Sequence, residues 1–278
     1  VRKLGLIAGG GDLPVEIARS CAETGRPLHV IRLRGMADPS LGDLPGDDVG
    51  IAQLGLCIRS LKTAGCSVVC FAGNVARPDF ASLKPDARGL MALPGLIAAG
   101  RRGDDSLLRA LLGEFEREGF EIEGAEAAAG RLRLPAGPLG KVTPPAAIMP
   151  DIERALTVAR EIGRLDIGQG AVVCEGLVLA VEAQEGTDQM LARVAQLPRA
   201  VRGEPGVPRG VLAKAPKPIQ EVRVDLPTIG LATIERVWQA GLAGIAGEAG
   251  RLLVLERDAV IARADALGLF IIGLEAPE

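Results

Sequence analysis

Between Lys3 and Glu123, short apolar runs alternate with helically spaced segments, and that alternation leaves few folds open to the chain. Lys3 to Ala8, Leu28 to Leu33, Ser67 to Ala72 and Phe120 to Glu123 read as strands. Pro14 to Thr24 reads as a helix, with proline in its first turn and Gly25 at its stop. Ile51 to Ala64 has the same periodicity and ends at Gly65. Ser106 to Glu118 is amphipathic, with Leu107, Leu108, Leu111, Leu112 and Phe115 on one side. A β-α-β order of this kind predicts a parallel, Rossmann-like sheet, whose ligands sit beyond the carboxyl ends of the strands. Gly9-Gly10-Gly11 and Gly73-Asn74 both fall at such ends.

The first glycine loop is not a dinucleotide fingerprint. G-x-G-x-x-G is absent, because Pro14 and Val15 stand near the third glycine position, and no evident ribose-binding acid follows Asp12. An NAD-dependent oxidoreductase is therefore the weaker enzyme reading. The loop itself fits either a tight turn or an anion-facing strand-to-helix junction.

Residues 125–150 change character, becoming rich in proline and glycine without periodicity. This predicts a Rossmann-like domain over 1–130, a linker over 131–150 and a distinct α/β domain over 151–278. In the second domain, Ile152 to Gly163 reads as a helix. Ala171 to Cys174 and Leu177 to Val181 flank Glu175-Gly176 as a hairpin. A helix follows over Thr187 to Leu197. Val211 to Ala215, Gly244 to Ala249, Leu252 to Glu256 and Leu269 to Gly273 read as strands. Ile234 to Ala240 and Arg257 to Ala266 read as helices.

Composition removes several function classes. Hydrophobic residues make up 48% of the 278 residues but aromatics only 2%, with no tyrosine, so the core is expected to be aliphatic and a base-stacking surface is not expected. A net charge of −3 with no basic tract argues against nucleic acid as a partner. The five cysteines form no CxxC pair and read as reduced core thiols. His29 is the one histidine, so a multi-histidine metal site is excluded. No stretch has the length or apolarity of a membrane span, and no signal-peptide pattern is evident. A cytoplasmic protein is expected.

Chemistry must then rest on carboxylates, lysines and backbone donors. Four polar clusters recur at element ends of the second domain: Asp166-Ile167-Gly168-Gln169-Gly170, Glu185-Gly186-Thr187-Asp188, Lys214-Ala215-Pro216-Lys217 and Arg223-Val224-Asp225-Leu226-Pro227. Thr187 and Asp188 fit either a plain helix cap or a phosphate-holding helix start. Lys214 fits either a solvated lysine or a point charge for phosphate. Asp225 fits either a turn or a carboxylate that holds metal or orients water. Hard oxygen ligands favour Mg²⁺ or Mn²⁺ over zinc. With the glycine junction of the first domain, the clusters suggest an anionic ligand held between two domains.

Several long motifs resemble the LpxI family, UDP-2,3-diacylglucosamine pyrophosphatases of lipid A biosynthesis. They are Leu4-Gly5-Leu6-Ile7-Ala8-Gly9-Gly10-Gly11-Asp12-Leu13-Pro14, Leu165-Asp166-Ile167-Gly168-Gln169, Val178-Leu179-Ala180-Val181-Glu182-Ala183, Glu185-Gly186-Thr187-Asp188, Lys214-Ala215-Pro216-Lys217-Pro218 and Arg223-Val224-Asp225-Leu226-Pro227-Thr228-Ile229-Gly230. The resemblance extends through Ala240 to Ile245 and Ala264 to Phe270, in order along nearly the whole chain. Asn74 departs from it where a lysine is expected, and Glu221 where aspartate is more usual.

The resemblance implies a cytoplasmic, two-domain enzyme that uses a divalent metal, usually Mg²⁺. Its reaction hydrolyses UDP-2,3-diacylglucosamine to 2,3-diacylglucosamine 1-phosphate (lipid X) and UMP, with water attacking the β-phosphorus. Asp225 and Asp188 are then expected to be catalytic, with Asp225 also the expected metal ligand. Gly10, Gly11, Asp12, Gly73, Gln169, Thr187 and Lys214 are expected to bind substrate. A lipid-bearing UDP-sugar is the expected partner, with transient contact at the inner-membrane surface and a homodimer as further expectations. A nucleotide-sugar-binding module without turnover is the rival from outside enzymology.

Overall fold

The computed structural model describes residues 1–75, 83–217 and 226–276. It divides into two compact units, the first running from Val1 to Gly130 and the second beginning at Arg131.

In the first unit, β1 (Leu4–Ala8), β2 (Leu28–Leu33), β3 (Gly46–Val49), β4 (Val68–Ala72) and β5 (Glu121–Ile122) form one five-stranded sheet in the order β3-β2-β1-β4-β5. Every neighbouring pair is parallel, with Leu4 opposite Leu28 on one side and Val68 on the other. The crossovers are carried by α1 (Leu13–Glu23), α2 (Leu54–Thr63), α3 (Ala87–Gly100) and α4 (Asp104–Arg117), and the short α5 (Ala125–Ala128) follows. The strand order reverses between β1 and β4, which makes their carboxyl ends the switch point of the sheet.

One face of this sheet buries Ile7, Ile31, Val69 and Phe71 against Ile58 and Leu61 of α2 and Leu112 and Phe115 of α4. The core is not purely aliphatic. Phe71 and Phe115 meet edge to face at 5.0 Å, and Phe120 lies 6.1 Å from Phe115. His29 is structural, its Nε2 2.8 Å from Ser60 Oγ, and burial pulls its pKa below the usual imidazole value. All five cysteines are buried and unpaired in disulfides.

The stretch expected to be a linker is instead integrated into the second unit. Its β6 (Gly137–Pro138) pairs antiparallel with β13 (Phe270–Leu274), and Leu134 and Leu139 are buried in the core of that unit. Isolated leucines beside Pro135 and Pro138 fill the core there, which periodicity does not reveal.

The second unit contains α6 (Met149–Arg164), β7 (Gly170–Cys174), β8 (Leu177–Val181), α7 (Gly186–Ala195), β9 (Val211–Lys214), β10 (Thr228–Ile229), α8 (Leu231–Gln239), β11 (Gly244–Glu248), β12 (Leu253–Val254) and α9 (Arg257–Leu267). A six-stranded mixed sheet runs β6-β13-β11-β9-β7-β8, while β10 and β12 form a separate two-stranded sheet. Strands β9, β11 and β13 are parallel, and β7 and β8 form the antiparallel hairpin.

Alternate residues of each strand face opposite layers. Val211 and Ala213 pack with Ile152, Ala155 and Leu156 of α6. Leu212 packs with Met190 of α7, Ile234 of α8 and Val260 of α9. The hairpin turn has φ of 49° at Glu175 and 76° at Gly176. Its two N–H groups donate to the Asp151 carboxylate, both at 2.7 Å, so the start of α6 is tied to the turn. Among the described residues, no helix is long and apolar enough to cross a membrane.

Candidate active site

The chain leaves β1 at Ala8 and packs its backbone against the exit from β4. Gly10 N donates to Asn74 O at 2.9 Å and Asn74 N donates back to Gly10 O at 2.9 Å, while Gly9 N donates to Ala72 O at 2.8 Å. Side chains would block this approach. A Cβ on Gly73 would stand 2.5 Å from Gly10 O, and one on Gly9 would stand 2.7 Å from Asn74 O. Gly11 and Gly73 also hold φ of 84° and 89°, where only glycine is at ease.

The structure thus brings Gly10, Gly11, Asp12 and Gly73 to one corner at the switch point. Close backbone packing is itself one reason for the glycines. Asp12 stands at the N-cap position of α1, exposed, and its side chain makes no capping hydrogen bond.

In the second unit, three of the four polar clusters meet at one edge of the six-stranded sheet. Register explains this: Gly170 lies opposite Lys214, and Lys214 lies opposite Gly247. The segment before β7, the segment after β8 and the ends of β9 and β11 therefore share that edge. Lys214 is only 5% exposed. Its Nζ donates to Thr187 Oγ1 at 2.8 Å and to Thr228 O at 3.2 Å. A desolvated ammonium needs such oxygen partners. Lys217 Nζ pairs with Asp166 Oδ1 at 2.7 Å, and Gln169 O accepts from Ala215 N at 3.0 Å. Thr187 and Asp188 lie in the first turn of α7, whose unpaired N–H groups favour anions. Asp188 Oδ2 lies 3.1 Å from Arg236 Nε of α8. Asp225, with Glu221 and Arg223, lies outside the described residues.

Two groups at this edge escaped the sequence reading. Glu182, directly after β8, is 7% exposed, and its Oε2 has no hydrogen-bond partner among the described residues. An acidic residue closing a continuously apolar strand is the one trace of it in the sequence, and its role depends on the register. Glu248, at the end of β11, is 2% exposed. Its two oxygens are held by Arg160 Nε at 2.7 Å and Arg251 Nη1 at 3.0 Å. Gln169 Oε1 is a further buried oxygen lacking a partner among the described residues.

Among the described residues, no group of three or more His, Cys, Asp or Glu side chains is placed to hold a metal. Mg²⁺ does not need such a group, since it is commonly held by one or two carboxylates together with phosphate oxygens and water. The orphaned Glu182 oxygen fits that donor set.

A cavity of about 730 Å³ opens at the opposite edge of the same sheet, lined by Pro145, Ile148, Asp151, Arg154, Glu175 and Arg209 among others. Asp151 is engaged by the hairpin turn, and Arg209 pairs with Glu175 at 2.8 Å. These groups maintain the fold, and the carboxyl-end edge is the better place for chemistry.

Residues 3–132 match the LpxI N-terminal domain and residues 135–272 match the LpxI C-terminal domain. The chain is 67% identical to UDP-2,3-diacylglucosamine pyrophosphatase LpxI of Caulobacter vibrioides (strain ATCC 19089 / CIP 103742 / CB 15) over 278 residues, covering 100% of this chain and 99% of that protein. A crystal structure of the UDP-glucose 4-epimerase of Thermus thermophilus in complex with NAD is 13% identical, with 99% of this chain and 86% of that chain covered. Its TM-score of 0.31 is too low to bear on fold or function. Two consecutive domain matches and a full-length relative leave no ambiguity: the chain belongs to the LpxI family.

Proposed function

We propose that this chain hydrolyses the pyrophosphate bond of UDP-2,3-diacylglucosamine in lipid A biosynthesis, releasing 2,3-diacylglucosamine 1-phosphate and UMP. The observation that carries the reading is the 67% identity to a protein of that name along the whole chain. The convergence of Lys214, Thr187 and the start of α7 supports it from the side of chemistry.

Water attacks the β-phosphorus and the bond to the bridging oxygen breaks, so UMP departs with that oxygen. Negative charge grows on the bridging and non-bridging oxygens as this happens. Lys214 neutralises that charge, and the N-terminus of α7 places N–H dipoles beside it. Thr187 holds the ammonium in position. Asp225 would orient the attacking water or hold the metal, and Asp188 would assist from the first turn of α7. Gln169 and the corner of Gly10, Gly11, Asp12 and Gly73 bind substrate. Mg²⁺ or Mn²⁺, when bound, would supply Lewis-acid stabilisation of the phosphate oxygens.

Hydrolysis in H₂¹⁸O tests the chemistry. The label is expected in 2,3-diacylglucosamine 1-phosphate. Label in UMP would place the attack on the α-phosphorus, and binding without turnover would favour a nucleotide-sugar-binding module.

A further inference from the structure

Glu182 is a buried carboxylate that the fold makes room for and does not pair among the described residues. Its N–H donates to Gly170 O at 2.8 Å, which sets it beside the first residue of β7, and Gly170 in turn lies opposite Lys214. Glu182, Gly170 and Lys214 therefore form one row on the face of the sheet that carries Val172 and Leu212. The glycines flanking Gln169 admit the side chain. A Cβ on Gly170 would stand 2.4 Å from Glu182 Oε2, and a Cβ on Gly168 would stand 2.0 Å from the Glu182 carbonyl oxygen and 3.2 Å from its Cβ.

Glu182 is 7% exposed, and its Oε2 accepts no hydrogen bond among the described residues. A carboxylate oxygen is costly to bury without a partner, and a cation beside it would offset that cost. The ammonium of the same row is directed to Thr187 Oγ1 and Thr228 O.

We propose that Glu182 is a ligand of a divalent cation at the carboxyl-end edge of the second unit's sheet, beside Lys214. This inference rests on the pyrophosphatase reading only for the cation's purpose. The donor itself, a hard carboxylate oxygen in a glycine-lined recess, suits Mg²⁺ or Mn²⁺. Water and substrate phosphate oxygens complete the coordination sphere.

The test is Mn²⁺ binding to the full-length protein, followed by electron paramagnetic resonance, in the wild type and in Glu182→Gln. The expected result is at least tenfold weaker Mn²⁺ binding in Glu182→Gln, with an unchanged circular dichroism spectrum. Glu182→Asp, which keeps the charge and withdraws it, and Gly170→Ala, which pushes the carboxylate aside, are expected to weaken binding as well. They keep the test open if Glu182→Gln fails to fold. Equal Mn²⁺ affinity in wild type and folded variants would overturn the assignment, as would a wild type that binds no Mn²⁺ at millimolar concentration. A rise in KM for UDP-2,3-diacylglucosamine with unchanged Mn²⁺ affinity would also overturn it, assigning Glu182 to substrate. In those cases hydrolysis by the wild type would leave the pyrophosphatase reading standing. Glu182-dependent Mn²⁺ binding without hydrolysis would do the reverse.

Discussion

Lys214, the last residue of β9, reaches the first turn of α7, its Nζ 2.8 Å from Thr187 Oγ1. This contact joins a buried positive charge to the end of a helix that itself attracts anions. If the pair acts as a unit on phosphate, its members are not independent. Lys214→Met is expected to lower kcat/KM about 100-fold, on the order of 3 kcal/mol. Thr187→Val is expected to lower it roughly tenfold through the loosened ammonium. Steady-state kinetics of the double variant should show little further loss beyond Lys214→Met alone. Fully additive losses would mean that the two residues act separately.

The glycine corner gives a stability contrast. Gly65 and Gly73 hold similar φ, 74° and 89°, but a Cβ on Gly65 meets nothing within 4 Å whereas one on Gly73 meets Gly10 O at 2.5 Å. Gly65→Ala is expected to cost about 1 kcal/mol, the penalty of the left-handed conformation alone. Gly73→Ala is expected to cost about 3 kcal/mol, since backbone must also move. Urea unfolding of both variants checks the difference, and equal losses would show that the corner is looser than described.

Glu248 anchors the other face of the same sheet edge. Its carboxylate is 3% exposed, with Arg160 at 24% and Arg251 at 39%. Glu248→Ala leaves Arg160 without its buried partner and is expected to cost about 3 kcal/mol or more. Arg251→Ala is expected to cost well under that, because the more exposed arginine is replaced by water. Thermal and chemical unfolding should rank the variants in that order.

Thiol chemistry reports on the first unit. Burial pushes the Cys57 thiol up to about 12, and Cys70 is raised for the same reason. Against the ordinary value of 9.0, the Cys57 thiolate at pH 8 is roughly a thousandfold scarcer, before access is considered. Native protein should therefore react slowly with a disulfide reagent at pH 8, and all five buried cysteines should react once urea unfolds the chain. Rapid modification of Cys57 in the native state would contradict its burial.

The parallel sheet of the first unit was readable because β1 and β4 are uninterrupted apolar runs, and β2 keeps Leu28, Val30, Ile31 and Leu33 around His29 and Arg32. Helix α3 was not, since Gly89, Pro94 and Gly95 interrupt its period and Leu90 and Met91 face outward, 61% and 83% exposed. Strand β3 escaped for the opposite reason. Within Gly46-Asp47-Asp48-Val49 only Val49 is buried, and pairing with β2 rather than side-chain pattern holds it in the sheet. At the site, Lys214, Thr187 and Gln169 were legible as polar residues at element ends. Glu182 and Glu248 were not, because their meaning depends on strand register: which glycine lies alongside one, and which helix arginine reaches the other. The ion pair of Asp188 with Arg236 likewise joins two helices whose packing the sequence does not disclose.

Incubating the purified protein with UDP-2,3-diacylglucosamine and saturating Mg²⁺, with Asp225→Ala in parallel, and identifying the products by mass spectrometry decides between hydrolysis and binding alone. Equimolar 2,3-diacylglucosamine 1-phosphate and UMP are expected from the wild type, with release at least about 100-fold slower from a folded Asp225→Ala that still binds substrate. A folded wild type that binds the nucleotide sugar and releases neither product would contradict the pyrophosphatase reading.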